Sequence, residues 1–251
     1  SLLITKDHQY LITTNIEATR LDREEQLMAQ GWEFQVSPWY EAATKVGELS
    51  HGKTLGSDTP SSGAIDLSAD LARLRANLTP EEGKRFQDLG KACAHAMQAA
   101  CQAVEPGQTE YQIGSKLVAE TEKQGVQAIV NLIATDERIF SYRHPLPTGK
   151  KLEKYAMLIL CGRKNGLVCS ITRLIHFGPL PDDLKRKVTA CAKVDAVFIN
   201  GTRPGQTLGN IFKQAISAYA TSGYPGEWQK HHQGGTSGYE PREYLAVPGS
   251  T

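Results

Sequence analysis

The sequence predicts an α+β protein in two parts: a small α/β unit over residues 1–76 and a larger α+β domain over residues 78–251. Three observations lead there. Short apolar and β-branched runs alternate with helical stretches through the first 76 residues, an order that favours partly parallel strand pairing. Two capping boxes, Thr79-Pro80-Glu81-Glu82 and Thr109-Glu110-Tyr111-Gln112, each open a long helical pattern. The pair Asn165-Gly166 stands between two apolar runs, a strong short-range signal for an antiparallel hairpin.

In chain order, residues 2–5 and 10–13 read as two short strands around a polar turn. Residues 24–30 read as a short helix, 32–36 as a strand, 40–49 as a helix and 53–55 as a strand before Gly56. The turn-rich segment 59–63 and an amphipathic helix over 67–76 precede a boundary near residue 77. In the larger part, helices are expected from Thr79 to about residue 104, up to Pro106-Gly107, and from Thr109 to about residue 124. Pro80 at the first helical position loses nothing by lacking an N–H. A strand over 128–133 follows, then the hairpin strands 155–161 and 167–177. Asp182-Asp183 puts negative charge at the start of a helix with one apolar stripe, Leu184, Val188, Cys191, Val194 and Phe198. Thr207 caps one more helix, and a polar loop rich in histidine and glycine closes the chain. In element order the second half echoes the first.

Of 251 residues, 40% are apolar and 22% charged, the balance of a globular chain. The 28 basic and 27 acidic side chains nearly cancel, so no overall field gathers nucleic acid or an anionic membrane. The longest apolar run, 155–161, is far below the roughly 18 residues of a spanning helix, and the N-terminus has no signal-peptide pattern. No nucleic-acid partner and no membrane are expected. Five cysteines without a CxxC read as reduced, inert thiols of a cytoplasmic protein. Among them, Cys161 and Cys169 flank the hairpin turn and can approach each other.

Two segments carry candidate chemistry. His144 sits in Ser141-Tyr142-Arg143-His144-Pro145-Leu146-Pro147, where two prolines stiffen the loop and hold an imidazole suited to proton transfer near neutrality. A loop histidine that merely bonds a carbonyl is the plainer alternative. The segment from His231 and His232 through Tyr239, Glu240, Arg242 and Glu243 interleaves titratable groups with three glycines. Such a backbone lets side chains and N–H groups converge on a ligand, although a flexible connection has a similar composition. Adjacent histidines on an extended chain point to opposite sides, so His231 and His232 share one ion only with unusual geometry. No HExxH, EF-hand, P-loop or nucleophile elbow occurs.

From Leu78 onward the sequence resembles the creatinase, prolidase and aminopeptidase P superfamily. The residues that carry the likeness are the His144-Pro145 loop, the hairpin ending in Ser170-Ile171-Thr172-Arg173, and the loop from His231 to Glu243 with Gly234 and Gly238 at the family's glycine positions. The resemblance implies a pita-bread fold preceded by a partial creatinase-like N-terminal α/β domain, with both ends of a full-length member lying outside residues 1–251. It implies a possible homodimer. Family metallopeptidases hold two divalent ions, but here their ligand positions align with Leu160, Ser170 and Gly235. The implied protein is therefore a metal-independent hydrolase of C–N bonds in peptide, Xaa-Pro, small amide or guanidino substrates, with no cofactor, as creatinase shows for this fold. In that reading His144, His231 and His232 are catalytic. Arg173 or Arg242 holds a carboxylate, Glu240 and Glu243 a cationic group, and Tyr239 completes the substrate site. The alternatives are a non-catalytic binder of a small ligand or peptide, and an assembly role through the dimer.

Overall fold

The computed structural model describes residues 1–41, 44–59 and 61–250. Ala42 and Ala43 of the expected 40–49 helix, Pro60 of the 59–63 turn, and Thr251 lie outside the described residues. The chain forms two compact units, Ser1–Leu71 and Ala72–Thr251.

In the first unit β1 (Leu2–Ile4) pairs antiparallel with β2 (Gln9–Thr14). Helix α1 (Ala18–Arg23) leads to β3 (Glu33–Ser37), which runs parallel to β2. The helix expected at 24–30 instead lies earlier. Arg20 bonds both Glu17 at 3.1 Å and Glu25 at 3.0 Å around the helix end. Gln26 then takes φ +54°, a left-handed conformation that interrupts the i→i−4 ladder. Helix α2 covers Lys45–Ser50. The strand expected at 53–55 is displaced to β4 (Gly56–Ser57), parallel to β5 (Ile65–Asp66). A Cβ at residue 56 would fall on the Leu67 side chain, so glycine permits that close pairing. Helix α3 spans Ser68–Arg75.

The second unit follows its local signals closely. Helix α4 (Pro80–Gln102) begins at a complete capping box on Thr79 and Glu82, and α5 (Glu110–Lys123) at another on Thr109 and Gln112. Strand β6 (Gln127–Thr135) leads through the short α6 (Glu137–Ser141) and a proline-bearing loop to β7 (Tyr155–Lys164) and β8 (Leu167–His176). Asn165 at φ +51° and Gly166 at φ +79° close the hairpin, the paired positive φ values that an Asn-Gly turn supplies. Helices α7 (Asp182–Gly201) and α8 (Leu208–Thr221) follow, then a 3₁₀ turn at Glu227–Lys230 and the two-residue strands β9 (Gly235–Thr236) and β10 (Tyr244–Leu245). The echo between the halves stops at the helices, because the glycine segment builds only this minimal ladder.

The sheet order is β6-β7-β8, all antiparallel. One face packs on α4 and α5 through Leu89, Met97, Ile113, Leu117, Leu158 and Leu160, each large side chain stabilising by about 1.5–3 kcal/mol on burial. Along β7 the buried residues alternate, with Ala156, Leu158, Leu160 and Gly162 on the helix side. Gly162 allows Cys93 of α4 and Val126 to pack closely on the strand, since a Cβ there would lie 2.6 Å from Cys93 Sγ and 2.7 Å from Val126. The neighbouring Cys169 thiol, then burial, push the Cys93 thiol up. All five cysteines are free. Among the described residues no helix is long and apolar enough to cross a membrane.

Candidate active site

The loop that presents His144 is held from below by a buried carboxylate. Glu110, the first residue of α5, is fully buried. Its Oε1 accepts from Thr135 N at 2.8 Å, Thr135 Oγ1 at 3.0 Å and Arg138 Nε at 3.0 Å. Its Oε2 accepts from Thr148 N at 2.9 Å and Thr148 Oγ1 at 2.6 Å. Arg138 in turn donates to the Leu146 carbonyl at 2.9 Å. Thr148 directly, and Leu146 through Arg138, are thereby tied to one buried group, with Pro145 buried and His144 exposed in the same loop.

The start of β7 is fixed by a second carboxylate. Asp136, at φ +51°, accepts from the backbone N–H groups of Glu153, Lys154 and Tyr155, each at 2.9 Å. Burial alone would raise its pKa, but these three donors outweigh burial and hold the carboxyl below the usual range. A depressed native pKa contributes stability above the unfolded value near 3.9, which is lost as pH falls through the native one. Acid unfolding of the wild-type protein below about pH 4 is therefore expected to be steeper than that of Asp136→Asn, as read by circular dichroism against pH.

The opposite wall is the segment after α8. Gln233 fixes it: Oε1 accepts from the Tyr219 hydroxyl at 2.6 Å, and Nε2 donates to the carbonyls of Trp228 at 3.1 Å and His231 at 2.7 Å. This places His231 Nε2 3.0 Å from His144 Nε2. His231 Nδ1 lies 2.6 Å from the His232 carbonyl. A carbonyl only accepts, so Nδ1 carries the proton. A neutral His231 thus presents a bare Nε2, to which His144 Nε2–H donates. The His231 and His232 rings are 4.1 Å apart between centroids, and His144 and His232 are 6.3 Å apart. The expectation that adjacent histidines diverge fails here, because the chain bends at His231 and the two rings lie together. Desolvation within the cluster, then His231, Arg242 and His144, lower the His232 pKa.

His231 and His232 line a cleft of about 670 Å³ whose walls include Phe140, Arg143, Lys187, Tyr219, Tyr224 and Lys230, and His144 reaches it through its bond to His231. Sequence reasoning did not single out Arg143, Lys187, Gln233 or Tyr219. They lie on separate elements, and no spacing in the chain marks them. Glu110 was legible only as part of a capping signature.

The other expected substrate residues are not brought to this cleft. Glu243, with a side chain 1% exposed, pairs with Arg75, whose Nη2 lies 2.8 Å from Oε2 and whose Nε reaches both carboxylate oxygens. The Tyr239 hydroxyl donates to Glu82 at the start of α4. Glu240 is exposed, and its backbone N–H donates to Glu243. Arg173 stands opposite Leu158 on the helix side of the hairpin, where it acts on Cys101 of α4. Arg242 is near enough to lower the His232 pKa. Its guanidinium bonds the Pro241 carbonyl and the Ser237 hydroxyl and lines a second cleft with Ser170 and Gly235. For Tyr239 and Glu243 the physical reason is that their side chains bond α4 and Arg75 instead of turning to the cleft.

The positions aligned with the family's metal ligands do not fit two hard ions. Leu160 is fully buried on the helix side. The residue opposite Ser170 is Cys161, one position on, with Sγ and Oγ 3.2 Å apart. Register decides this, since a one-residue offset reverses the face. A side chain at position 235 would collide with the Tyr244 carbonyl. A thiol, a hydroxyl and a glycine offer none of the carboxylate oxygens that such ions require.

Known proteins share this architecture. The Xaa-Pro dipeptidase from Bacillus anthracis is 20% identical with TM-score 0.76, and the match covers 98% of this chain and 75% of that one. The prolidase from Pyrococcus horikoshii OT3 is 19% identical with TM-score 0.80, covering 98% and 74%. The X-Pro aminopeptidase from Thermotoga maritima MSB8 is 16% identical with TM-score 0.74, covering 98% and 76%. At these identities the likeness carries the pita-bread fold. A comparison with curated proteins finds no match. Residues 84–249, from early in α4 through the glycine loop, match the pattern of metallopeptidase family M24. With two thirds of its residues under that pattern and the fold to match, the chain belongs to the M24 metallopeptidase family.

Proposed function

We propose that the chain hydrolyses a C–N bond in a small amide, peptide or guanidino substrate by histidine acid–base chemistry, without a dinuclear metal centre. The observation that carries this reading is the 3.0 Å contact between His144 Nε2 and the Nε2 of His231, which lines the cleft. His231 Nε2 takes a proton from water as the oxygen attacks the substrate carbon. The imidazolium so formed returns that proton to the leaving nitrogen as the C–N bond breaks. His144 Nε2–H, released from its bond to His231, turns toward the oxygen or nitrogen that gains charge at the reacting carbon. The cations Arg143 and Lys187 and the rings of Phe140, Tyr219 and Tyr224 suit a substrate with a carboxylate and an apolar body.

Incubation with dipeptides, Xaa-Pro peptides and guanidino acids in excess EDTA, read by amine release, tests the proposal. Turnover that persists in EDTA is the expected result. Turnover that appears only on adding Mn²⁺ or Co²⁺ overturns metal independence. A second reading, ligand binding without turnover, is favoured by Leu160 and Ser170 standing where the family has carboxylates and Gly235 where it has a histidine. It predicts a rise in melting temperature with the same compounds and no amine release.

A further inference from the structure

We propose that His144, His231 and His232 form a site for one borderline transition-metal ion, Zn²⁺, Cu²⁺ or Ni²⁺, and that occupancy switches the acid–base pair off. One ligand nitrogen from each histidine lies within 4.8 Å of the others. Around a tetrahedral ion with Zn–N of about 2.0–2.1 Å, ligand nitrogens stand about 3.3 Å apart. The His144–His231 pair is already at 3.0 Å. The third ring belongs to an exposed residue, and a side-chain rotation closes the remaining gap.

His231 has the outer-shell arrangement of a metal ligand. Its Nδ1–H is bound to a backbone carbonyl, which fixes the tautomer and aims the bare Nε2 inward. The residues also select the ion. Arg143, Lys187 and Lys230 line the same cleft, with Glu227 held in an ion pair to Lys230 at 2.6 Å. A hard ion held by charge is disfavoured there. Imidazoles prefer Zn²⁺, Cu²⁺ and Ni²⁺, whereas Mg²⁺, Ca²⁺ and Mn²⁺ need oxygen donors. Three protein ligands leave the fourth position to water or a small anion from the cleft. The site is separate from the family's ligand positions, since none of Leu160, Ser170 and Gly235 belongs to the cluster. An ion bound at both Nε2 atoms takes the lone pair on which His231 accepts a proton and forces the His144 proton from Nε2 to Nδ1, which removes the donor, so it inhibits.

The inhibitory half rests on the proposed acid–base reading, whereas the binding half stands without it. The test is calorimetric titration of EDTA-stripped, dialysed protein with Zn²⁺ alone, on the wild type and on His144→Gln, His231→Gln, His232→Gln and His176→Gln. His176 bonds the Gly178 carbonyl at 3.3 Å and is outside the cluster. The expected result is one ion per chain. Affinity falls by at least about tenfold in each cluster variant and is unchanged in His176→Gln. His144 and His232 are exposed, so their variants keep the fold and decide the outcome even if His231→Gln does not. Equal affinity in wild type and His144→Gln overturns the proposal. So does loss of binding in Cys161→Ser with the cluster intact, which would move the ion to the hairpin. Where a substrate is turned over, one equivalent of Zn²⁺ abolishes turnover and EDTA restores it. Stoichiometric binding without inhibition sinks the acid–base reading and leaves the metal site.

Discussion

His144→Ala and His231→Ala are each expected to lower kcat/KM by about 10²–10⁴-fold while leaving the melting temperature within a degree or two of wild type. The two rings share one hydrogen bond at 3.0 Å, and neither contributes to the hydrophobic core. Their loss therefore removes chemistry rather than packing. Because they act as a unit, the double variant is expected to be little worse than either single one, since removing one partner already disables the other. Steady-state kinetics on the best substrate from the amine-release panel, run beside thermal melts, reads both quantities. A drop below about tenfold in either single variant would show that proton transfer occurs elsewhere.

Glu110→Ala is expected to cost about 3 kcal/mol or more of stability, from loss of five hydrogen bonds and from leaving Arg138 without its buried partner. The Arg138 side chain is 21% exposed, so water relieves part of its isolation and the lower end of the usual 3–5 kcal/mol range applies. For a chain of this size that is a fall of roughly 10 °C in melting temperature. Glu110→Gln keeps one acceptor oxygen but sets an amide N–H₂ against the Thr135 or Thr148 donors, so an intermediate loss is expected. Combined with Arg138→Met, Glu110→Ala should cost less than it does alone, because the orphaned cation is gone. The loop that carries His144 is tied to the same carboxylate through Thr148 and Arg138, so Glu110→Gln should also lower kcat/KM by displacing His144. A loss under 1 kcal/mol in Glu110→Ala would mean that water replaces all five bonds.

The elements that were legible in advance are those with their whole cause in a few neighbouring residues. Thr79 with Glu82 and Thr109 with Gln112 each close a capping box by two reciprocal bonds three residues apart. Asn165 and Gly166 satisfy the turn they sit in. The misplaced elements of the first unit have causes one step further off. The helix expected at 24–30 yields to Arg20 bridging Glu17 and Glu25, and the 53–55 strand yields to the close packing of Leu67 on Gly56.

The candidate site divides along the same line. Composition and motif identified His144, His231 and His232 as residue types suited to proton transfer, and likeness to a family identified the scaffold. Their convergence, 87 positions apart in sequence for the bonded pair, was a matter of how α6, the proline loop and the segment after α8 come together. Tertiary contacts also decided that Glu243 and Tyr239 serve Arg75 and Glu82, and that Cys161 rather than Leu160 shares a face with Ser170. The reason is physical: capping and turn formation are settled within a few residues. A side chain's partner across the fold depends on strand register and packing, where a shift of one residue reverses every neighbour.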